Sequence, residues 1–399
     1  MCYTISGNLI LRVGSKWKLH ESKRKSSSQW RGDVRNCISA VFLLDFFGSA
    51  VFQIIGWDIG GANIKAAWLA LERGRAGPVR VLSQPFEIWR EKERLPEVLR
   101  TIFSGIAAGA VPQAMAITMT AELSDIFATK REGVLFVLQS VGSCFPDIAS
   151  YVLSLSGEFV PLCDAQARPL DFTATNWLAS AQWIAGQFPN CLLIDVGSTT
   201  TDIVPVLDGQ ISVVGRTDLA RLSSGELVFT GVLRTNLAAI VQAVPIAGRT
   251  CGVAAEYFAV SGDVHLILGH LRPEDYTCST PDGRTPTVDS ARRRLARLVC
   301  ADIEMLSIEK IDGMARYIYL QQIHQIREGL SRVLSRLPRL REHPVIVLGG
   351  GAFLGLAAAR SMDLGILDLS GDWEPEELAV APCVAAAQLL AEHLKAASV

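Results

Sequence analysis

An aspartate and two glycines follow a short apolar run early in the chain, and this spacing suits a phosphate and a metal ion. Residues 54–69 read IIGWDIGGANIKAAWL. Glycine lets the backbone approach a ligand and aim several N–H groups at one point, which binds phosphate oxygens without positive side chains. A carboxylate at the strand end can hold Mg²⁺, usually through water, while the metal bridges the same phosphates. The candidates are Asp58, Gly60, Gly61, Asn63 and Lys65.

A second stretch repeats the pattern, and a third glycine turn follows later. Residues 191–206 read CLLIDVGSTTTDIVPV, and residues 344–355 read PVIVLGGGAFLG. Two turns that face each other would clamp a di- or triphosphate, with Asp58 and Asp195 holding one Mg²⁺. Asp202 closes the second turn and either caps it or reaches the metal. The candidates are Asp195, Gly197, Ser198, Thr199, Thr200, Asp202, Gly349, Gly350 and Gly351.

Four further charged residues are candidates for the same site. Glu122 and Asp125, in MTAELSD, either cap a helix or enter the site. We expect the site, because an apolar strand delivers them where a cleft should open. Arg234, in GVLRTNL, and Arg284, in TPDGR, would bind anions if they face the cleft and would form surface ion pairs otherwise.

The bulk composition excludes several classes of protein. The chain has 399 residues, 49% hydrophobic and 20% charged, which is typical of a globular protein too long for one ordinary core. A net charge of −2 gives no reason to expect nucleic acid or a membrane surface as partner. The nine cysteines show no CxxC pair and the six histidines no zinc-type spacing, so we expect reduced cysteines in a cytoplasmic protein. Composition leaves homo-oligomerisation open.

The first fifty residues differ from the rest, with eight Lys or Arg against three acids. The segment ESKRKSSSQWRG has no periodicity and predicts loose chain. It precedes the apolar ISAVFLLDFFGSAVFQIIGW, an order that is also found in signals and anchors. Asp45 interrupts that apolar run, which continues directly into the Asp58 hairpin. We therefore expect residues 1–52 to be a disordered or mis-annotated extension.

The rest of the chain alternates strand and helix patterns, and the repeated hairpin predicts two related lobes. Residues 174–186 predict an apolar helix, and residues 289–303 predict an amphipathic helix with its arginines in solvent. The hinge is expected near residues 187–191. The predicted lobes are residues 53–190, closed by a C-terminal helix at 378–396, and residues 191–377.

The paired hairpins and the late glycine turn resemble the actin–hexokinase–Hsp70 superfamily, and within it the hydantoinase/oxoprolinase branch. The segments GWDIGGANIKAA, MTAELSD, NWLASA, LIDVGSTTTDIVP and VLGGGAFLG stand in the order typical of the tetrahydromethanopterin-linked C1-transfer pathway proteins. The resemblance covers roughly residues 53–396. It implies a two-lobed actin-like ATPase (ribonuclease H-like) α/β fold, with duplicated βββαβαβα lobes around a central cleft.

The resemblance also implies a reaction. A furan-methyl diphosphate would be attacked by the phenol of γ-glutamyltyramine or a similar acceptor, and diphosphate would leave from an Mg²⁺-containing clamp. Glu122 or Asp125 would take the phenol proton. The alternative is an ATP-using enzyme, either a small-molecule kinase or a hydrolase of the oxoprolinase type, which the late glycine turn favours. A non-catalytic nucleotide sensor is the third interpretation.

Overall fold

The structure is a computed structural model, and it describes residues 2–5, 8–13, 16–20, 51–72, 75–369, 371 and 373–397. The chain divides into two units, Met1–Phe42 and Leu43–Val399. In the first unit, β1 (Cys2–Ile5), β2 (Asn8–Val13) and β3 (Lys16–His20) form an antiparallel sheet. Regular strands therefore occur within the predicted extension, whereas residues 21–50, including its basic run, lie outside the described residues.

The first sheet of the larger unit is built around the Asp58 hairpin. Its strands are β4 (Val51–Ile59), β5 (Asn63–Glu72), β6 (Arg75–Ala76), β7 (Arg80–Pro85), β8 (Ala114–Met119), β9 (Ala149–Leu153) and β10 (Phe159–Pro161). The order is β10-β9-β8-β4-β5-β6, and β7 also pairs with β5. The pair β4 and β5 is antiparallel, whereas β8 runs parallel to β4 and to β9. The interior strands β4 and β8 are mainly apolar because both faces of the sheet are covered.

The second sheet repeats this topology around the Asp195 hairpin. Its strands are β11 (Cys191–Val196), β12 (Thr201–Leu207), β13 (Gln210–Ile211), β14 (Leu227–Val228), β17 (Val345–Leu348) and β18 (Ile366–Leu367), while β15 (Ala243–Ile246) and β16 (Arg249–Gly252) form a separate hairpin. The pair β11 and β12 is antiparallel, and β17 runs parallel to both β11 and β18. An antiparallel hairpin followed by parallel strands thus occurs twice, which agrees with the predicted fold class.

Helices cover the sheets and separate them. They are α1 (Ile88–Glu91), α2 (Leu95–Ala107), α3 (Lys130–Cys144), α4 (Leu162–Ala165), α5 (Asn176–Gln187), α6 (Asp218–Ser224), α7 (Ser261–Ile267), α8 (Val288–Arg297), α9 (Ile308–Arg336), α10 (Ala352–Arg360), α11 (Pro375–Ala379) and α12 (Ala381–Ala397). The long α9 was not among the predicted elements. The helix predicted at 289–303 ends earlier, because Cys300 adopts a left-handed φ of 55°. Among the described helices, none is both long and apolar enough to cross a membrane.

The core holds the two hairpins close to each other. A continuous apolar cluster joins the inner faces of both sheets with α5 and α12. The outer face of the first sheet packs on α2 and α3, and that of the second sheet packs on α9 and α10. A Cβ at Gly56 would lie 2.0 Å from the carbonyl oxygen of Cys383, so α12 crosses β4 in close contact. The lobe bounds 53–190 and 191–377 stay a prediction, because residues 43–399 form one unit.

Candidate active site

Asp58 lies at the end of β4, where the buried strand meets the first turn. It is 4% exposed and stands opposite Lys65 across the hairpin. Lys65 Nζ lies 3.6 Å from Asp58 Oδ2, so the two side chains form an ion pair. Burial raises the pKa of Asp58, and the charge of Lys65 opposes that rise. Asp58 Oδ1 is buried and has no hydrogen-bond partner within the described residues, which leaves it available to a ligand.

Asp195 takes the corresponding position at the end of β11. It is also buried, and its cross-strand neighbour is Asp202. The hydroxyl of Ser180, on α5, donates to Asp195 Oδ2 at 3.3 Å. Burial raises the pKa of Asp195 to about 7, Asp202 adds to the rise, and Lys65 opposes it. A bound cation would favour the ionised form of this carboxyl.

The two hairpins contribute to one charged cluster. Asp58 and Lys65 both act on the pKa of Asp195, and Asp58 also acts on that of Asp202. Burial lowers the pKa of Lys65, but the charges of Asp58 and Asp195 outweigh it, so the pKa of this lysine is raised. Nearby charges act in this way over about 4–6 Å. The first and second turns therefore open onto a shared group of side chains.

Each of the two turns is closed by an equivalent backbone hydrogen bond. The Gly60 N–H donates to the carbonyl of Asn63 at 3.0 Å, and the Gly197 N–H donates to that of Thr200 at 2.9 Å. Half-exposed turn N–H groups without an acceptor suit anionic oxygens. Within the described part of the chain, the turn N–H groups that donate to no protein acceptor are those of Gly61, Ala62, Ser198, Thr199 and Thr200.

Residues 231–234 support the second turn through backbone hydrogen bonds and close packing. The N–H groups of Leu233 and Arg234 both donate to the carbonyl of Ser198 at 3.0 Å. A Cβ at Gly231 would lie 2.5 Å from backbone atoms of Thr199, so only glycine allows this approach. The carbonyl side of the turn is therefore occupied by protein, which leaves the N–H side for a ligand.

The third glycine turn, residues 349–351, lies directly against Asp195. Gly349 has a left-handed φ of 89°, and a Cβ there would lie 2.6 Å from Asp195 Oδ1. The Gly351 N–H donates to the carbonyl of Val196 at 2.9 Å. Gly350 is exposed, and a Cβ at that position would meet open space. The structure thus brings this turn to the carboxylate of the second hairpin.

The donor set fits a divalent cation held together with a diphosphate. Within the described ranges, no group of three or more His, Cys, Asp or Glu side chains is arranged to hold a metal ion alone. Mg²⁺ needs fewer protein ligands in such a complex, because it keeps several waters and binds one or two carboxylates together with phosphate oxygens. Asp58, with its unpartnered Oδ1, and Asp195, beside the second and third turns, match that requirement.

Glu122 and Asp125 lie in different surroundings although they are three residues apart. The Glu122 side chain is fully buried, whereas Asp125 is exposed. Lys130 Nζ lies 3.8 Å from Glu122 Oε1 and 2.5 Å from Asp218 Oδ2. Burial raises the pKa of Glu122 to about 7, and Lys130 opposes this shift. Lys130 and Asp218 were not predicted as site residues.

The two arginines that were predicted to bind anions also lie in different surroundings. Arg234 Nη1 donates to Thr199 Oγ1 at 3.4 Å, and its guanidinium lies 4.4 Å from the ring centroid of Trp89. Arg284 is 60% exposed and lies beside Asp282, with 3.9 Å between Nε and Oδ2. Arg234 is thus at the second turn, whereas Arg284 occupies the alternative surroundings of a surface ion pair.

Arg221 is a buried cation that the sequence interpretation missed. Its Nη1 donates to Asp202 Oδ1 at 2.7 Å, and its guanidinium lies 3.9 Å from the ring centroid of Trp177. Asp202 therefore has a protein cation as its partner, and we expect it to have a different role from Asp195. No local pattern in the sequence indicates this pair, because Asp202 and Arg221 are 19 residues apart in the chain.

Comparison with known proteins identifies relatives along most of the chain. A family model of the hydantoinase/oxoprolinase proteins matches residues 113–393. The chain is 34% identical over 285 residues to the (4-{4-[2-(γ-L-glutamylamino)ethyl]phenoxymethyl}furan-2-yl)methanamine synthase of Methanocaldococcus jannaschii, covering 71% of this chain and 82% of that protein. It is 36% identical over 147 residues to the synthase of the same name from Methanococcus vannielii, covering 37% of this chain and 66% of the relative.

A solved structure supports the fold. The nucleotide-free structure of an acetone carboxylase aligns with a TM-score of 0.51 at 11% identity, over 84% of this chain and 70% of that one. This likeness concerns the fold alone and agrees with the duplicated sheets described above, which confirms the predicted fold class. The family match spans the second hairpin, the third glycine turn and most of α12. The chain therefore belongs to the hydantoinase/oxoprolinase family.

Proposed function

We propose that the protein is a transferase of methanofuran-type cofactor biosynthesis. The phenol oxygen of γ-glutamyltyramine, or of a similar acceptor, attacks the methylene carbon of an aminomethyl-furan-methyl diphosphate. An ether C–O bond forms, the C–O bond to the diphosphate breaks with its electron pair on the leaving group, and the phenol proton passes to a base. The observation that carries this proposal is the 34% identity over 285 residues to a synthase whose name describes such a phenoxymethyl-furan ether.

The main catalytic requirement is to stabilise the charge that develops on the leaving diphosphate. The free N–H groups of the two turns and the guanidinium of Arg234 supply donors for its oxygens. Lys65 adds a positive charge within the same cluster. Asp58 and Asp195 would hold Mg²⁺, which supplies further positive charge to the diphosphate when bound.

The phenol proton needs an acceptor that can return it to water after each turnover. Asp125 is exposed, whereas the side chain of Glu122 is fully buried. An exposed carboxylate exchanges its proton with water more readily than a buried one, so Asp125 is the proposed base of the two predicted candidates.

The test is a direct assay of coupling. Purified protein is incubated with the furan-methyl diphosphate, γ-glutamyltyramine and Mg²⁺, and the ether product and free diphosphate are measured by mass spectrometry and a diphosphate assay. We expect the two products in equal amounts and only in the presence of protein. Absence of the ether, with both substrates shown to be intact, would refute the proposal.

The second candidate is an ATP-dependent kinase or hydrolase. It is favoured by the glycine turn at residues 349–351, which lies against Asp195 and has open space at the exposed Gly350. Such an enzyme would release ADP in step with product. Under the transferase proposal, millimolar ATP is not turned over and competes only weakly, through its phosphates.

A further inference from the structure

A group of charges around the buried Glu122 lies close to the first turn, since Thr120 Oγ1 would be 3.5 Å from a Cβ at Gly60, and it carries one unmatched negative charge. It consists of Glu122, Lys130 and Asp218. Lys130 Nζ is closer to Asp218 (2.5 Å) than to Glu122 (3.8 Å), so the lysine is largely engaged by Asp218. The Glu122 side chain is fully buried, and neither of its oxygens has a hydrogen-bond partner within the described residues.

Two polar side chains, one two residues from Glu122 and one next to a residue whose backbone faces its carboxyl, also lack hydrogen-bond partners within the described residues. The hydroxyls of Ser124 and Thr175 are both buried and make no hydrogen bond in the described part of the chain. Thr175 follows Ala174, whose backbone N–H faces the Glu122 carboxyl without a well-formed hydrogen bond and opposes the rise of its pKa. Ala174 has a left-handed φ of 47°. Buried polar groups without partners are costly, and a strained residue beside them is typical of a ligand site.

We propose that Glu122, together with the hydroxyls of Ser124 and Thr175, binds the primary ammonium group of a substrate. The inference rests on the proposed function, since it takes the substrate to be an amine. An ammonium group has three donors and no acceptor, which matches one carboxylate and two hydroxyl oxygens. Its charge neutralises the excess negative charge of the Glu122, Lys130 and Asp218 group.

The chemistry of the two substrates selects the aminomethyl group of the furan. The α-ammonium of a γ-glutamyl group stands next to its own α-carboxylate, which Glu122 and Asp218 would repel. The aminomethyl group of the furan carries no anionic neighbour. Glu122 is therefore a specificity-determining residue for the diphosphate donor, not the base that takes the phenol proton.

The binding test uses furfurylamine as the probe, with furfuryl alcohol as the uncharged comparison. Calorimetry on the full-length protein should show that Glu122→Gln weakens furfurylamine binding by at least about tenfold, because the charged partner is lost. Binding of furfuryl alcohol should not change. Thr175→Val, which removes one hydroxyl at similar volume, should weaken furfurylamine binding severalfold. The matched control is Glu93→Gln, at an exposed position. Equal furfurylamine affinity in wild type and Glu122→Gln overturns the proposal.

The kinetic test compares the furan-methyl diphosphate donor with an analogue that has methyl in place of aminomethyl. Wild type should prefer the amine by roughly a hundredfold in kcat/KM, and Glu122→Gln should remove most of that preference. An acceptor without its α-amino group should not change the effect of the substitution. Equal losses for both donors would make Glu122 part of the chemical step and refute the ammonium site. If neither donor releases diphosphate with wild type, the proposed function fails, and furfurylamine binding still decides the ammonium site.

Discussion

Asp58 and Asp195 end equivalent strands, yet each has a different partner. Asp58 has a lysine 3.6 Å away, whereas Asp195 has a serine hydroxyl at 3.3 Å and a second aspartate across the hairpin. The two carboxyls therefore differ in charge compensation before any ligand binds. The proposed cation lies where that compensation is incomplete, at Asp195 and at the unpartnered oxygen of Asp58.

Replacing Asp58 or Asp195 with asparagine should lower the coupling rate by about a hundredfold or more, because each change removes a charge that the metal–diphosphate unit needs. The double variant should be little worse than either single variant, since both residues act on one unit. Higher Mg²⁺ should partly restore the single variants. Steady-state rates over a range of Mg²⁺ concentrations measure this. Near-normal turnover of both single variants at low Mg²⁺ would exclude the clamp.

The two arginines offer a matched comparison. Arg234→Gln should raise the KM for the diphosphate donor by about tenfold or more, because a charged hydrogen-bond donor at the second turn is lost. Arg284→Gln removes the same charge from an exposed position beside Asp282 and should change the KM by less than about twofold. Initial-rate measurements against donor concentration distinguish the two. Equal effects would mean that net charge, not position, determines donor binding.

At the scale of elements, the second turn depends on the segment that supports it. The backbone of residues 231–234 packs against residues 197–199, and its N–H groups donate to the carbonyls of Gly197 and Ser198. The shape of the turn is therefore not a property of the hairpin alone. A change that leaves every side chain of the turn intact can still remove the proposed phosphate site.

Gly231→Ala should weaken diphosphate binding and lower the melting temperature, because its Cβ would lie 2.5 Å from the backbone of Thr199. Gly313→Ala is the control. Gly313 lies in α9, where a Cβ meets nothing within 4 Å, and alanine there should stabilise the helix by about 0.5–1 kcal/mol. Thermal melts with and without diphosphate report both effects. If Gly231→Ala keeps diphosphate affinity, the support of the turn by this segment is not required for binding.

At the scale of the whole molecule, the larger unit buries an acidic side chain beside each of its two sheets. Glu122 follows β8 of the first sheet, Asp195 lies in β11 of the second, and burial raises the pKa of each to about 7. An acid whose pKa is raised by folding stabilises the folded state below its unfolded pKa of about 4, and this contribution is lost as pH rises toward 7. The protein should therefore lose stability over this range through these two groups.

The variant with both Glu122→Gln and Asp195→Asn should lack this loss. Its melting temperature relative to wild type should rise from pH 5 and level off above about pH 7, because the amides do not ionise. Glu93→Gln, at an exposed position, should show a constant difference. Melting curves at a series of pH values in the absence of ligands measure the effect. A difference for the double variant that does not depend on pH would show that these carboxyls are not shifted in the folded protein.

The sequence by itself determined the local parts of the site. The hydrogen bond that closes each turn joins residues only three apart, and the apolar runs beside it predict buried strands. The glycines of the turns and the aspartates at the strand ends can therefore be predicted from short segments of the sequence. The duplicated fold was also predictable, because the hairpin pattern occurs twice in the chain.

Only the tertiary structure decided which charged residues meet. Glu122 is buried and Asp125 exposed because α3 packs closely on the first, where a Cβ at Gly133 would lie 2.6 Å from Glu122 Cα. Arg294, expected in solvent, is buried and binds Asp263 at 2.6 Å, a partner thirty-one residues away. Such pairs depend on packing between distant segments. A single sequence does not encode that packing as a local pattern.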